Sequence, residues 1–209
     1  MCRVALRYRT AITSEAYGTW PGWLDGSMTL PLTYHPALAR PDLLAPPVAE
    51  ALRSLSLVSP AWADQVRVAA IDPTLADTAQ FCETYGVAPV DSANCVVIAA
   101  RRGADVTYAA CMVTATTRAD VNGLVRRHLG ARKASFGPVD LVTALTGMEY
   151  GGITPVGLPE GWPVLVDDLV AKSAGDVVIG SGIRGSKLWL PGQLLAELPG
   201  GQVLPGLGI

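Results

Sequence analysis

The chain has 209 residues, half of them apolar and 16% charged, with a formal net charge of −2. That balance argues against an intrinsically disordered chain and carries no global nucleic-acid signature, so a polyanionic partner would have to be met by a local patch. The length suits one domain with appendages, and 22 glycines and 16 prolines point to a loop-rich globular fold.

Cys2, Cys82, Cys95 and Cys111 form no Cys-x-x-Cys pair, and only His35 and His128 are available to complete a metal site, so a zinc site is not expected. Three of the cysteines lie in apolar periodic segments, which reads as reduced, buried thiols and a cytoplasmic protein. The apolar run 95–100 stops at Arg101-Arg102 and is too short for a bilayer, and the N-terminus lacks the apolar run of a signal peptide; no membrane association is expected.

Residues 1–27 show no sustained period and carry Tyr17, Trp20 and Trp23, so they read as a loosely attached extension, with residues 28–209 forming the domain proper. Five prolines keep residues 31–47 extended or turning, and Pro46-Pro47 can open a helix with Val48, Ala51, Leu52 and Leu55 on its apolar side. Residues 66–71 alternate as a strand. Asp77 with Gln80 has the spacing of a capping box, ahead of a short helix that stops at Gly86.

Residues 92–99 and 107–115 are apolar strand candidates joined as a hairpin through a turn at Gly103. Thr117 with Asp120 predicts a cap for a helix with Val121, Leu124, Val125 and Leu129 as its stripe and Gly130 as its stop. A further helix is expected from Pro138 to Thr146, stopped by Gly147. Short strands follow at 164–166, 176–179 and 186–190, then a helix at 193–197 and a strand at 202–204. Hairpins with inserted helices give an α+β class: a mixed, largely antiparallel sheet or a barrel.

Residues 147–159, Gly-Met-Glu-Tyr-Gly-Gly-Ile-Thr-Pro-Val-Gly-Leu-Pro, hold four glycines and two prolines. Glycine permits close backbone approach and proline fixes φ, so this segment reads as a shaped loop with exposed N–H groups. A tight helix-to-strand connection accounts for the same residue types. No Gly-x-Ser-x-Gly is present, and His128 falls on an arginine-flanked helix face, so a conventional hydrolase triad is not expected.

This loop, followed by Pro-Val-Leu-Val-Asp-Asp at 163–168 and Gly-Ser-Gly-Ile-Arg-Gly-Ser-Lys-Leu at 180–188, resembles the YbaK/prolyl-tRNA editing (aminoacyl-tRNA synthetase-associated) domain family over about residues 77–203. The resemblance implies the YbaK-like fold and hydrolysis of mischarged aminoacyl-tRNA, a reaction for which neither a metal nor an organic cofactor is expected. Cleaving that ester develops negative charge on a carbonyl oxygen, and each preorganised N–H is worth roughly 10²–10³ in rate.

Gly151, Gly152, Thr154 and Pro155 are then the candidate catalytic loop, with the substrate's own hydroxyl helping to activate the nucleophile. Many family members carry a lysine at the start of the first hairpin strand, where this chain has Asn94. Asn94 cannot supply charge, although its amide can hydrogen-bond a carbonyl or ribose hydroxyl. Two readings stay open: a subfamily using Asn94 in editing, or a non-catalytic tRNA- or synthetase-binding protein of the same fold.

Gly182, Arg184, Gly185 and Ser186 resemble the family's closing turn and are candidates for the 3′ CCA end, with Arg184 on a phosphate. Asp167 matches a family acidic position and is expected to hold the loop or Arg184. Segment 118–133 sets Arg118, Arg126, Arg127, Arg132 and Lys133 against Asp120, an electrostatic footprint suited to an acceptor stem; a solvated helix face reads equally well. The expected partners are mischarged tRNA and an aminoacyl-tRNA synthetase.

Overall fold

The computed structural model describes residues 29–209, so the expected extension at 1–27 lies outside the described residues. The first described elements are a two-residue strand, β1 (His35–Pro36), and two 3-10 turns in the proline-rich stretch. Pro46 and Pro47 start α1 (Pro46–Val58), where a missing N–H costs nothing, and Val48, Ala49 and Leu52 are its buried side. A short α2 (Ala61–Asp64) leads into β2 (Arg67–Ala70).

Helix α3 (Thr78–Tyr85) ends at Gly86, whose φ of 67° closes the helix in the left-handed conformation. Asp77 is its N-cap residue, but its carboxylate accepts no capping bond, contrary to the capping-box expectation. The hairpin is longer than predicted: β3 (Ala93–Arg102) and β4 (Asp105–Thr114) pair along their whole length.

The stretch after β4 differs from the expected helix. Asp120 caps it alone, accepting from Gly123 and Leu124 N–H, while Thr117 turns its hydroxyl to Thr114. One wide π turn (Val121–Val125) and α4 (Arg126–His128) follow. The next strand, β5 (Lys133–Phe136), was not expected; α5 (Val139–Thr146), β6 (Val164–Val166), α6 (Asp168–Ala171), β7 (Asp176–Gly180), β8 (Ser186–Pro191), a 3-10 turn (Gly192–Glu197) and β9 (Gly201–Val203) complete the order.

The strands form two open sheets instead of one sheet or a closed barrel. One is antiparallel, in the order β1-β2-β8-β7; the other is mixed, β5-β3-β4-β6-β9, with β6 parallel to both neighbours. A bridge between Ser92 and Val178 joins them. The main core lies between the sheets: Val68, Leu188, Leu190 and Ile179 from the first meet Met112, Val164 and Val166 from the second, with α1 closing it.

Each sheet is also covered on its outer face. Ala69, Val178 and Trp189 pack under Phe81 and Cys82 of α3, and Ile98, Cys111, Val113 and Leu165 pack under Val121, Val125 and Leu207. Burial on both faces explains why β3 and β4 read as nearly continuous apolar runs. Among the described residues no helix is long and apolar enough to cross a membrane.

Candidate functional site

A cleft of about 250 Å³ opens where the two sheets meet beside the start of α3. Ala76, Asp77 and Thr78 form one wall; Ala93, Asn94 and Cys95, at the head of β3, form the second; Tyr150, Gly151 and Ile153 form the third; Gly180 of β7 and Lys187 of β8 close the floor. The loop can reach the floor because Gly180 has no side chain: a Cβ there would strike the carbonyl oxygens of Gly152 and Ile153.

Asn94 is half-buried, and its Oδ1 accepts from the Thr78 hydroxyl at 2.7 Å. With the oxygen engaged, the amide N–H₂ is the group left to face a ligand. Gly151 takes φ +84° and carries the Arg184 guanidinium across it, in space a side chain would fill. That guanidinium donates to Tyr150 O at 3.2 Å and Pro73 O at 3.3 Å, while the Arg184 main-chain N–H donates to Glu149 Oε2 at 2.7 Å. Arg184 therefore ties the loop to the turn before α3 at the cleft's rim, and two of its donors are committed to carbonyls.

The candidate catalytic loop divides. Gly151 and Ile153 line the cleft, and their N–H groups donate to no main-chain carbonyl among the described residues. Gly152 is buried: its N–H donates to Glu149 O, its carbonyl accepts from Gly182 N–H at 2.8 Å, and the Ile183 backbone occupies the space where a side chain would go. Thr154 and Pro155 are buried too. Among the described residues Thr154 Oγ1 has no hydrogen-bond partner, and Pro155 faces a separate apolar groove with Leu55 and Trp162.

In the closing turn, Gly182 at φ +90° abuts Ala45, and Ser186 donates to Leu43 O and bonds the Ser181 hydroxyl, so both serve packing; Gly185 has open space around it. Asp167 touches neither the loop nor Arg184. It is buried and accepts from Leu169 N–H at 3.0 Å and Gly208 N–H at 2.7 Å, capping α6 and anchoring the C-terminal segment.

Sequence reasoning did not single out Lys187. It is 8% exposed, its Nζ donates to Ala76 O at 3.1 Å, and it stands 5.5 Å from the centroid of the Phe81 ring. Burial, reinforced by the Arg184 charge, pushes the Lys187 ammonium below the usual lysine range. The available signal was a charged residue inside the apolar strand Lys187-Leu188-Trp189-Leu190, a placement that is costly without a partner. Burial pushes the Cys95 thiol up, so the one sulfur in the cleft stays protonated and is no thiolate nucleophile.

The basic segment forms a second feature. β5 pairs with β3 so that Lys133 lies directly opposite Arg101, and these two with Arg126 and Arg132 line a shallow depression. Like charges on directly opposed residues are unfavourable, so the register concentrates cations against their mutual repulsion. Arg118 and Arg127 do not line it. Arg101 lies seven positions along β3 from Asn94, about 23 Å along the strand. His128 is exposed and bonds Gln202 Oε1.

A family model for the aminoacyl-tRNA editing domain matches residues 72–198, a span that contains both the cleft and the basic depression. The chain belongs to the aminoacyl-tRNA editing domain family. None of the curated proteins matches it.

Solved structures with the editing-domain fold include a candidate trans-editing enzyme for prolyl tRNA synthetase, at 20% identity over 78% of this chain and 97% of that one, TM-score 0.61. A hypothetical protein aligns at 19% identity over 76% and 99% of the two chains, TM-score 0.64. A scaffold protein used for computational epitope grafting aligns at 20% identity over 77% and 95%, TM-score 0.63. At these identities the likeness shows the fold.

Proposed function

We propose that this editing-domain protein is a trans-acting aminoacyl-tRNA deacylase that hydrolyses the ester of a mischarged tRNA. The observation that carries the reading is the cleft wall at 151–153, where the Gly151 and Ile153 N–H groups have no carbonyl partner among the described residues and lie beside the Asn94 amide. Water adds to the acyl carbon, charge builds on the carbonyl oxygen within reach of these fixed donors, and the C–O bond breaks. The products are the free amino acid and the terminal ribose hydroxyl of the tRNA, which takes the proton. The substrate's own neighbouring hydroxyl assists the water, as the family resemblance implies, so no protein base is needed for a bond this labile.

A cleft of about 250 Å³ suits a small aminoacyl group and acts as a second sieve where a synthetase cannot reject one small side chain against another. The Arg101, Arg126, Arg132 and Lys133 depression offers phosphate contacts at a distance suited to the stem that follows the 3′ end. The test is deacylation of a panel of mischarged tRNAs by purified protein. Turnover above the buffer rate supports the reading; tight binding with no turnover replaces it with a non-catalytic tRNA-binding protein of this fold.

A further inference from the structure

The cleft contains a cation that no part of the editing reading has used. We infer that Lys187, from β8 in the other sheet, is the catalytic cation of this cleft and meets the developing negative charge on the ester carbonyl oxygen. The inference rests on the deacylase reading above and names the group that performs its central step.

Three observations converge on Lys187. A lysine this deeply buried is unfavourable unless its charge is answered, and among the described residues no carboxylate lies within ion-pair distance of it. Its one hydrogen bond among the described residues, to Ala76 O, uses one of three ammonium donors, and the Phe81 ring face supplies diffuse stabilisation on the apolar side. Its ladder partner on β7 is Gly180, which also lines the cleft, so no side chain opposite fills the floor beside it.

The alternative cation, Arg184, is occupied with Tyr150 and Pro73 carbonyls at the rim. Asn94 on the facing wall is neutral, and its oxygen is bonded to Thr78. Charge and amide thus reach the cleft from different sheets, with the N–H groups of residues 151 and 153 between them.

The charged groups around Lys187 set a pH signature. Burial and the Arg184 charge lower its pKa, while Asp77 and the Cys82 thiol act in the opposite, weaker sense. The ammonium is the working form, so activity is full below the lowered pKa and declines as pH rises through it, earlier than an ordinary lysine would dictate.

The experiment compares wild type with Lys187→Met and Lys187→Arg on whichever mischarged tRNA the wild type hydrolyses, subtracting the uncatalysed rate at each pH. Lys187→Met is expected to lose about 10²-fold or more in kcat with KM within threefold, and Lys187→Arg to recover part of the rate and lose the alkaline decline. A merely structural lysine would leave that decline in place in the arginine variant. Retention of kcat within threefold in Lys187→Met, or an unchanged alkaline limb in Lys187→Arg, overturns the assignment while leaving the deacylase intact. Should Lys187→Met fail to fold, the pH profile of Lys187→Arg decides alone. Absence of turnover in the wild type overturns the deacylase reading and this inference together.

Discussion

Adding one methyl group at Gly152 probes how the cleft wall is held. A Cβ there would lie 2.5, 2.6 and 2.7 Å from the carbonyl carbon, oxygen and amide nitrogen of Ile183, backbone atoms with no rotamer to escape into. The residue is not at positive φ, so the cost of Gly152→Ala is steric rather than conformational. Restoring ordinary contact means separating the two segments by about 0.9 Å, which strains the 2.8 Å bond from Gly182 N–H to Gly152 O.

Overpacking of this kind costs about 1–3 kcal/mol and the lost hydrogen bond about 1 kcal/mol, so Gly152→Ala should destabilise by about 2–4 kcal/mol in equilibrium urea unfolding. Gly185, in the adjoining turn, is the control. Nothing lies within 4 Å of a Cβ there and its φ is ordinary, so Gly185→Ala should stay within about 0.5 kcal/mol of wild type. Because Gly151 and Ile153 flank the displaced residue, folded Gly152→Ala should also lose about 10²-fold in deacylation. Equal stability of the two variants would refute the view that the loop is seated on the Ile183 backbone.

Arg126→Ala with Arg127→Ala should weaken tRNA binding and lower the salt slope of log affinity by about 0.7–2, most of it from Arg126, which lines the depression; unchanged affinity at low salt removes the patch from RNA binding. Asn94→Ala should reduce kcat/KM by about tenfold, the worth of one cleft hydrogen bond, with at most a small stability loss through Thr78; unaltered turnover would make Asn94 a strand-head residue only. Asp167→Asn should destabilise by about 2–4 kcal/mol, because an amide cannot accept from both Leu169 and Gly208 N–H and presents a donor to one of them. Its kcat, measured where the variant is folded, should match wild type, and a selective loss of kcat would return Asp167 to the site.

The readable parts of the fold were those set by local rules. Pro46-Pro47 opens α1, Gly86 and Gly147 close their helices at positive φ, and the β3–β4 hairpin turns at Gly103. What stayed hidden depends on distant partners. β5 has the pattern Lys-Ala-Ser-Phe and mostly exposed side chains, so only its pairing with β3 makes it a strand. The parallel pairings of β6 with β4 and β9 join segments far apart in sequence, and β2 pairs with β8 in a separate sheet, so two sheets stand where one sheet or a barrel is expected.

At the site, residue types revealed a tight glycine loop but not which side each residue faces. Gly151 opens on the cleft, whereas Gly152 and Gly182 bury their missing side chains against backbone and Ala45. Lys187 is buried because α3 and the turn before it fold across the outer face of β8, α3 bringing Phe81 and the turn Ala76 over it.

Ester hydrolysis in this editing-domain cleft is read out by the release of labelled amino acid from a panel of mischarged tRNAs by the purified protein. Multiple turnovers are expected on at least one tRNA carrying a small amino acid, with no requirement for added metal and no hydrolysis of correctly charged tRNAs with large side chains. Binding of the same tRNAs without release of any amino acid above the buffer rate would contradict it.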